Sequence, residues 1–350
     1  MSQIEQSVMD ALKTVIEPEL HQDIVTLNMV RDLKIEDNTA NFTIVLTTPA
    51  CPLKDVFVER CNDAVIGKVD GISRLNISWD AQVPTDRRIM GQFNAPMKSI
   101  IAVGSGKGGV GKSTISVNIA VALAEAGAKV GLIDADILNP NTPQMMGLQS
   151  GRPKVVNDKM QPIEAHGVQI ISTGFLTTPD KPMIMRGPML HSAIRQFFTD
   201  VNWSSLDYMI VDLPPGTGDA PLSLAQQFPL AGAIIVTQPQ GVATADALRS
   251  VAMFEQLKVP IIGLVENMAG DFFGTGGGEK LAEERNLTFL GRVPLQTDVR
   301  EGGDYGRPVV AFNPDSPAGQ AFASIARKAA ARTSVLMMQN ADVIPINVIN

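Results

Sequence analysis

The sequence predicts an α/β fold in which a mostly parallel sheet carries helices on both faces, preceded by a small mixed α/β domain. Two observations lead to this fold class. From residue 98 to about residue 333, short apolar runs alternate with patterns of helical spacing, as in parallel sheets whose strands are joined by helices. Residues 1–82 contain a separate set of amphipathic patterns. We therefore expect a small domain at 1–82, a linker at 83–97, a large domain at 98–333 and a tail at 334–350.

Composition limits the class of protein. The chain has 350 residues, 45% of them hydrophobic, and a mean hydropathy of +0.10, which is typical of well-cored globular domains. No stretch of about 18 uncharged apolar residues occurs, and the N-terminus has no apolar signal core, so we expect no membrane segment. The net charge of −7 argues against general nucleic-acid binding. Two cysteines are too few for a disulfide scaffold, so a cytoplasmic protein is expected.

The small domain should contain two helices and three strands. Apolar residues spaced three or four apart predict the helices, and alternation predicts the strands. The expected elements are a helix with Ile4, Val8, Leu12 and Val15 on one face, strands at Met29–Ile35 and Phe42–Thr47, a helix carrying Leu53, Phe57, Cys61 and Val65, and a strand at Leu75–Trp79. In the linker that follows, we expect Arg87 and Arg88 to be a solvated pair.

The two cysteines differ in their surroundings. Cys51 lies in the run LTTPACPLKD, where the second helix should begin and Pro52 could take its first position. A thiolate there would be stabilised by the helix dipole, which favours a nucleophile or a metal ligand. The sequence leaves an ordinary loop cysteine equally open. Cys61 falls on the apolar stripe of the second helix, and we expect it in the core.

The larger region contains seven apolar runs that should form the parallel sheet. They are Ile100–Val103, Val130–Ile133, Val168–Ile171, Tyr208–Val211, Ala233–Val236, Ile261–Val265 and Phe289–Val293. A helical pattern such as Ala243 to Leu257 separates several of them. In sheets of this type, ligands bind beyond the carboxyl ends of the strands. The motifs described next all fall there.

A phosphate-binding loop follows the first of these strands. The stretch VGSGKGGVGKST contains Gly106-x4-Gly111-Lys112-Ser113, the Walker A pattern, between an apolar run and a helical pattern. Backbone N–H groups of such a loop surround phosphate oxygens, Lys112 would reach the β- and γ-phosphates, and Ser113 would bind Mg²⁺. The residues expected to bind the nucleotide here are Gly106, Lys107, Gly108, Gly109, Val110, Gly111, Lys112, Ser113 and Thr114.

Acidic residues follow two other strands of the expected sheet. Asp134 and Asp136 come after the second strand, well placed to face water or Mg²⁺. The strand at Tyr208–Val211 ends in Asp212, the Walker B arrangement, so Asp212 should hold Mg²⁺. The rigid, glycine-containing run PPGTGD follows Asp212 and suits a switch that senses the γ-phosphate. We therefore expect these strand ends to form one magnesium–nucleotide site.

The second lysine of the loop adds a resemblance. GKGGVGKST, with Lys107, resembles the deviant Walker A motif of the MinD/ParA/nitrogenase-reductase class of ATPases. In that class this lysine contacts the nucleotide of a second subunit, and a cation delivered in this way stabilises charge on the transferred phosphoryl group. The resemblance also implies that Asp136 positions the attacking water, Asn267 reads adenine and Pro294 packs on the base. The catalytic residues expected are therefore Lys107, Lys112 and Asp136.

The full set of motifs points to a narrower family. TPACP, SGKGGVGKST, DADILNPN, VDLPPGTGD and ENM occur in this order, and together they resemble the Mrp/ApbC family of P-loop ATPases, the iron–sulfur cluster carriers. The resemblance implies a homodimer that binds ATP and Mg²⁺, hydrolyses ATP, and transfers a 4Fe–4S cluster to apo iron–sulfur client proteins or works with assembly factors. The net charge and the lack of a long apolar stretch lead us to expect no nucleic-acid and no membrane partner. The tail after Arg332 agrees, because it lacks the Lys and Arg of a basic membrane anchor.

The chain departs from that family at one motif. The carriers place Cys-x-x-Cys shortly after ENM, whereas ENMAGDFFGTGGGEK contains no cysteine, and none follows Cys61. Two functions stay open: a cluster carrier that uses Cys51 or a separate scaffold, and a dimeric ATP-dependent switch that acts on a protein partner without a cluster. A small-molecule kinase is disfavoured by Lys107 and by PPGTGD.

Overall fold

The computed structural model describes residues 2–18, 20–86, 88–89, 97–137, 139–149, 151–176, 187–339 and 343–344. The chain divides into two compact units. One consists of Met1–Pro84 together with Ala330–Asn350, and the other is Thr85–Ala329. No helix in the described part of the chain has the length and apolar character needed to cross a membrane.

The first unit is the small mixed α/β domain that the sequence predicts. Its elements are α1 (Gln3–Leu12), β1 (Val30–Glu36), β2 (Thr39–Leu46), α2 (Lys54–Val65) and β3 (Arg74–Ala81). The three strands form a sheet in the order β1-β2-β3, with β1 antiparallel and β3 parallel to β2. The parallel pair requires a crossover, and α2 supplies it.

The ends of the two helices differ from the sequence prediction. A capping box between Ser2 and Glu5 starts α1, but α1 ends at Leu12 and Ile4 is 43% exposed. Val15 is buried beyond the helix, where its carbonyl oxygen accepts a hydrogen bond from the N–H of Ile24. The second helix begins at Lys54 instead of Pro52. Cys61 is fully buried in the core of this unit, as expected.

The last helix of the chain, α11 (Pro317–Met338), contributes its final turns to the first unit. The Ser334 hydroxyl donates a hydrogen bond of 3.2 Å to the Thr47 carbonyl oxygen, and Met338 packs against the core of the unit. The segment that begins the predicted tail is therefore helical and packed. The remainder of that tail lies largely outside the described residues.

The second unit is built on an eight-stranded sheet, counted over the described residues, in the order β14-β13-β12-β5-β11-β6-β10-β9. All neighbouring pairs are parallel except β9 and β10, which are antiparallel. The strands of this unit are β4 (Thr85–Asp86), β5 (Met97–Ser105), β6 (Val130–Asp134), β7 (Val155–Val156), β8 (Lys159–Met160), β9 (Ile163–Ala165), β10 (Val168–Ser172), β11 (Leu206–Asp212), β12 (Gly232–Thr237), β13 (Ile261–Ala269) and β14 (Phe289–Pro294). A short strand, β15 (Val343–Ile344), follows near the end of the chain.

Helices connect these strands or follow the last strand of the sheet. They are α3 (Lys112–Glu125), α4 (Thr142–Met145), α5 (Gly187–Thr199), α6 (Asp219–Gln227), α7 (Gly241–Gln256), α8 (Gly277–Glu284), α9 (Thr297–Tyr305) and α10 (Val309–Phe312), with a 3₁₀ turn at Thr173–Phe175. All seven predicted strands are present, and each is longer than its apolar run. Because β5, β6, β11 and β13 are parallel, the residues that follow them meet at one edge of the sheet.

The linker also differs from expectation. Arg88 is paired with the buried carboxylate of Asp86 at 2.7 Å, so it is not a solvated residue, while Arg87 lies outside the described residues. The pairing follows from burial, because a buried carboxylate needs a hydrogen-bonded cation.

Candidate functional site

The glycine-rich loop lies between β5 and α3, as the sequence predicts. Gly111 has φ of +81°, and a Cβ atom there would lie 2.1 Å from the Asn267 side-chain nitrogen. Gly106 is confined in a different way, since a Cβ atom would lie 2.0 Å from the Asp246 carbonyl oxygen. Side chains at either position would displace the loop. The compact curl required for phosphate binding therefore depends on these two glycines.

Side chains from neighbouring strands fix the orientation of the loop peptides. The Asn267 amide donates a hydrogen bond of 2.9 Å to the Val110 carbonyl oxygen, and the Gln238 amide donates one of 3.4 Å to that of Gly109. In a trans peptide the following N–H points away from the carbonyl oxygen. The N–H groups of Val110 and Gly111 therefore face away from these amides, as donors to a phosphate must. Gln238 was not anticipated from the sequence.

Lys112 and Asp212 form a buried ion pair at the centre of the site. The two residues are 6% and 0% exposed, and Nζ of Lys112 lies 2.6 Å from Oδ1 of Asp212. The Ser116 hydroxyl donates to the same oxygen at 2.7 Å. The structure thus brings together the two predicted residues and adds Ser116. Its position four residues after Lys112, on the same face of α3, was the signal in the sequence.

The donor set fits a magnesium ion. The second oxygen of Asp212, Oδ2, is buried and accepts no hydrogen bond from the described residues. Such an oxygen is costly unless another ligand binds it, and Mg²⁺ with its bound waters is a suitable one. Ser113 lies beside this pair, with its hydroxyl 3.4 Å from Nζ of Lys112. Asp212 and Ser113 would therefore hold the ion together with nucleotide phosphates.

The carboxylates that follow β6 occupy different environments. Asp134 is fully buried and accepts hydrogen bonds from the Thr142 N–H and the Ser172 hydroxyl, and burial raises its pKa to about 7. Asp136 is 9% exposed, and burial also raises its pKa, although the nearby Lys112 charge opposes this. A raised pKa brings a carboxylate closer to general-base function near neutral pH. Asp134 has a structural role, because its hydrogen bonds join α4 and the end of β10 to β6.

Two further predicted elements adjoin the loop. The N–H of Gly216, within PPGTGD, donates a hydrogen bond of 2.8 Å to the Ser105 carbonyl oxygen, which joins that segment to the start of the loop. Lys107 is half-buried, and its ammonium group forms no ion pair with the described residues. The site therefore contains a cation on its loop in addition to the buried Lys112.

Two family models match the chain. The model described as NUBPL iron-transfer P-loop NTPase matches residues 96–330, and the model described as iron–sulfur cluster assembly protein matches residues 5–79. The chain belongs to the NUBPL iron-transfer P-loop NTPase family. This finding confirms the resemblance that the motifs indicated. The roles of the loop, Lys112 and Asp212 in nucleotide binding stay predictions.

Relatives of this NTPase support the same assignment over most of the chain. An iron–sulfur cluster carrier protein from a Synechocystis species is 48% identical, with 94% of this chain and 98% of that protein covered. A nucleotide-binding protein from Archaeoglobus fulgidus in complex with ADP is 36% identical and has a TM-score of 0.56, covering 64% of this chain and 92% of its own. The MinD cell division protein from Aquifex aeolicus is 24% identical and has a TM-score of 0.51. The match covers 65% of this chain and 95% of MinD, and it shows the fold alone.

A cavity of about 290 Å³ in this NTPase adjoins the loop. Asn267, Pro294 and Thr114 line it, so the structure places three predicted nucleotide-binding residues around one space. The sequence did not indicate the opposite wall, which α4 and α9 supply. The Asn267 amide nitrogen donates its hydrogen bond to the phosphate-binding loop. The role of Asn267 in reading the base therefore stays a prediction.

The remaining predicted site residue is Cys51. Cys51 is half-buried, and its N–H donates to the Thr48 carbonyl oxygen at 3.3 Å. It lies three residues before α2, outside the first turn, where the dipole effect is weak. Among the described residues, no three His, Cys, Asp or Glu side chains converge to hold a metal ion. A magnesium site does not require that, because nucleotide phosphates supply ligands.

Proposed function

We propose that this chain is an ATP-hydrolysing carrier of iron–sulfur clusters that acts as a homodimer and delivers clusters to apo-proteins. The observation that carries the proposal is the buried Lys112–Asp212 pair beneath a phosphate-binding loop in a chain of the iron-transfer NTPase family. The Synechocystis relative, covered over almost its full length, is an iron–sulfur cluster carrier protein. In this proposal the cluster is what the protein carries, and ATP hydrolysis at the nucleotide site drives its transfer.

Each residue of the site has a role in this proposal. Loop N–H groups and Lys112 bind the phosphates of ATP, and Ser113 and Asp212 hold Mg²⁺. Asp136 orients the attacking water, a role that its raised pKa and position near Lys112 support. Lys107 completes the site of the second subunit, where its charge stabilises the phosphoryl group during transfer. The half-buried Lys107, with no ion pair among the described residues, is consistent with such a partner.

Hydrolysis is tested with two lysine variants. Lys112→Ala should abolish both ATP binding and phosphate release, because the loop loses its phosphate-binding cation. Lys107→Ala should keep the affinity for ATP and reduce turnover about 10²- to 10³-fold, the usual effect of removing one transition-state donor. Lys107→Arg, which keeps the charge, is the matched control. Unchanged turnover in Lys107→Ala would remove this lysine from the mechanism.

The thiols of this chain supply only part of a cluster site. Four thiolates are the usual ligands of a 4Fe–4S cluster, and two copies of Cys51 supply only two. We assign Cys51 as the candidate ligand because it is half-buried, whereas Cys61 is buried and burial raises its pKa to about 12. The remaining ligands would come from outside the thiols of this chain, such as an assembly factor.

Anaerobic reconstitution tests that assignment. The wild type, Cys51→Ser and the control Cys61→Ala are incubated with iron and sulfide, and bound iron, sulfide and visible absorbance are measured. We expect a cluster in the wild type and in Cys61→Ala, and none in Cys51→Ser. Wild-type protein that binds no iron would favour the second function, a dimeric ATP-dependent switch that acts on a protein partner.

A further inference from the structure

A buried amide on α3 has no part in the function proposed above. Asn118 lies in the second turn of α3, is 3% exposed, and uses both ends of its side-chain amide. Its Nδ2 donates a hydrogen bond of 2.9 Å to the Thr114 carbonyl oxygen, and its Oδ1 accepts one of 3.2 Å from the N–H of Val310. The first bond stays within α3, whereas the second reaches α10. Asn118 therefore joins the helix of the phosphate-binding loop to a helix near the other end of the chain.

The bond to Val310 supplies a cap that α10 does not make for itself. The first N–H groups of a helix have no acceptor within that helix. Pro308 precedes α10 and makes no side-chain cap, so Asn118 provides the acceptor for Val310, the second residue of α10. Val310 is 2% exposed, and a buried N–H that loses its acceptor is costly. Asn118 therefore fixes the start of α10 on α3.

The joint between α9 and α10 is short and closely packed. Only residues 306–308 separate the two helices. Gly306, with φ of +68°, ends α9, and the N–H groups of Gly306 and Arg307 both donate to the Gly302 carbonyl oxygen. A Cβ atom at Gly306 would lie 2.2 Å from the Cα atom of Gly147, which follows α4. Because close-packed groups cannot shift independently, a movement of α10 would displace α9 as well.

One wall of the cavity beside the phosphate-binding loop belongs to α9. The lining residues from this helix are Val299, Arg300, Gly303 and Asp304. Thr114, whose carbonyl oxygen accepts the hydrogen bond from Asn118, lines the same cavity. In the proposed function the loop and Lys112 bind the phosphates of ATP, so the cavity beside them receives the ribose and the base. The two hydrogen bonds of Asn118 thus hold the walls of the space for the nucleoside.

We propose that Asn118 is a positioning residue for ATP binding: its amide ties α10, and through α10 the α9 wall of the cavity, to the helix of the phosphate-binding loop. The inference rests on the proposed function and adds a residue to it. Asn118 bonds backbone groups only, and the loop peptides are held separately by Asn267 and Gln238. Asn118 therefore acts on the affinity for the nucleoside of ATP and not on the affinity for the phosphates.

The test uses Asn118→Leu in the full chain, which keeps the size of the side chain and removes both hydrogen bonds. Isothermal titration calorimetry with Mg²⁺ measures the binding of ATP and of tripolyphosphate, which has the phosphates of ATP without the nucleoside. The dissociation constant for ATP should rise about tenfold, roughly the effect of one lost hydrogen bond, and that for tripolyphosphate should stay within about twofold. In hydrolysis, the KM for ATP should rise and kcat should stay unchanged, because only binding is lost.

Two further variants separate this inference from the proposed function. Ile119→Val is the matched control, because it removes one buried methyl group from α3 and keeps the amide, so both affinities should equal those of the wild type. Gly306→Ala disturbs the joint at α9 directly and should also weaken ATP binding alone. Equal losses for ATP and tripolyphosphate in Asn118→Leu, no loss for either, or wild-type affinity for ATP in Gly306→Ala would overturn the inference and leave the proposed function intact. Wild-type protein that binds no ATP would overturn both.

Discussion

Replacing Lys112 by methionine should destabilise the nucleotide-free second unit far more than replacing a surface lysine. The methionine keeps much of the volume of Lys112 and removes its charge. Asp212 is fully buried, and its Oδ2 already accepts no hydrogen bond from the described residues, so the variant leaves an uncompensated buried carboxylate. Removing one partner of a buried ion pair costs about 3–5 kcal/mol. Lys112→Met together with Asp212→Asn should recover most of that loss, because neither residue of the pair then carries a buried charge.

Urea unfolding followed by tryptophan fluorescence measures this difference in one unit. The chain has two tryptophans, and Trp203 is buried in the second unit, where its indole N–H donates to the Phe197 carbonyl oxygen at 2.9 Å. In a Trp79→Phe background, Trp203 reports that unit alone. With a slope of about 3 kcal/mol per molar urea, a loss of 3–5 kcal/mol lowers the midpoint by about 1–1.7 M.

Lys98→Met is the matched control for this experiment. Lys98 pairs with Asp207 at 2.7 Å, a distance similar to that of the buried pair, but the two side chains are 32% and 14% exposed. Partly exposed pairs contribute about 1 kcal/mol or less, so the midpoint should fall by no more than about 0.3 M. If Lys112→Met and Lys98→Met have equal midpoints, the reasoning from burial is refuted.

Two more predictions concern the loop and the thiols. Gly111→Ala should abolish ATP binding without unfolding the chain, because the φ of +81° at Gly111 and the 2.1 Å approach to Asn267 exclude a methyl group. Equilibrium dialysis measures ATP binding and circular dichroism measures folding. Wild-type affinity for ATP in this variant would contradict the loop geometry. Iodoacetamide at pH 8 should label Cys51 and not Cys61, because a pKa of about 12 leaves about one Cys61 thiol in ten thousand ionised. Mass spectrometry of the native and urea-unfolded protein checks this, and rapid native labelling of Cys61 would show that it is not buried.

The strands and the phosphate loop could be predicted because their signals are local. A buried parallel strand reads as a continuous apolar run, and a phosphate loop requires glycine, lysine and a hydroxyl residue at fixed spacing. The runs that begin at Ile100 and Tyr208 therefore located β5 and β11, together with Lys112 and Asp212 at the site. The ends of helices and strands were predicted less accurately than their positions in the chain. The second helix begins at Lys54 instead of Pro52. No side chain caps its first turn, so no local residue type marks the residue at which it begins.

The sequence by itself determined the fold class, the nucleotide loop and the acidic strand ends, because each is encoded by residue type over a few neighbouring positions. Only the tertiary structure decided which distant groups meet. The contacts of Ser116 with Asp212 and of Gln238 with Gly109 join residues from separate elements. Packing also decided that Asp86, two residues from its partner Arg88, is buried. Their energies depend on burial, which lowers the local dielectric and makes each partner necessary, and burial is a property of the assembled fold.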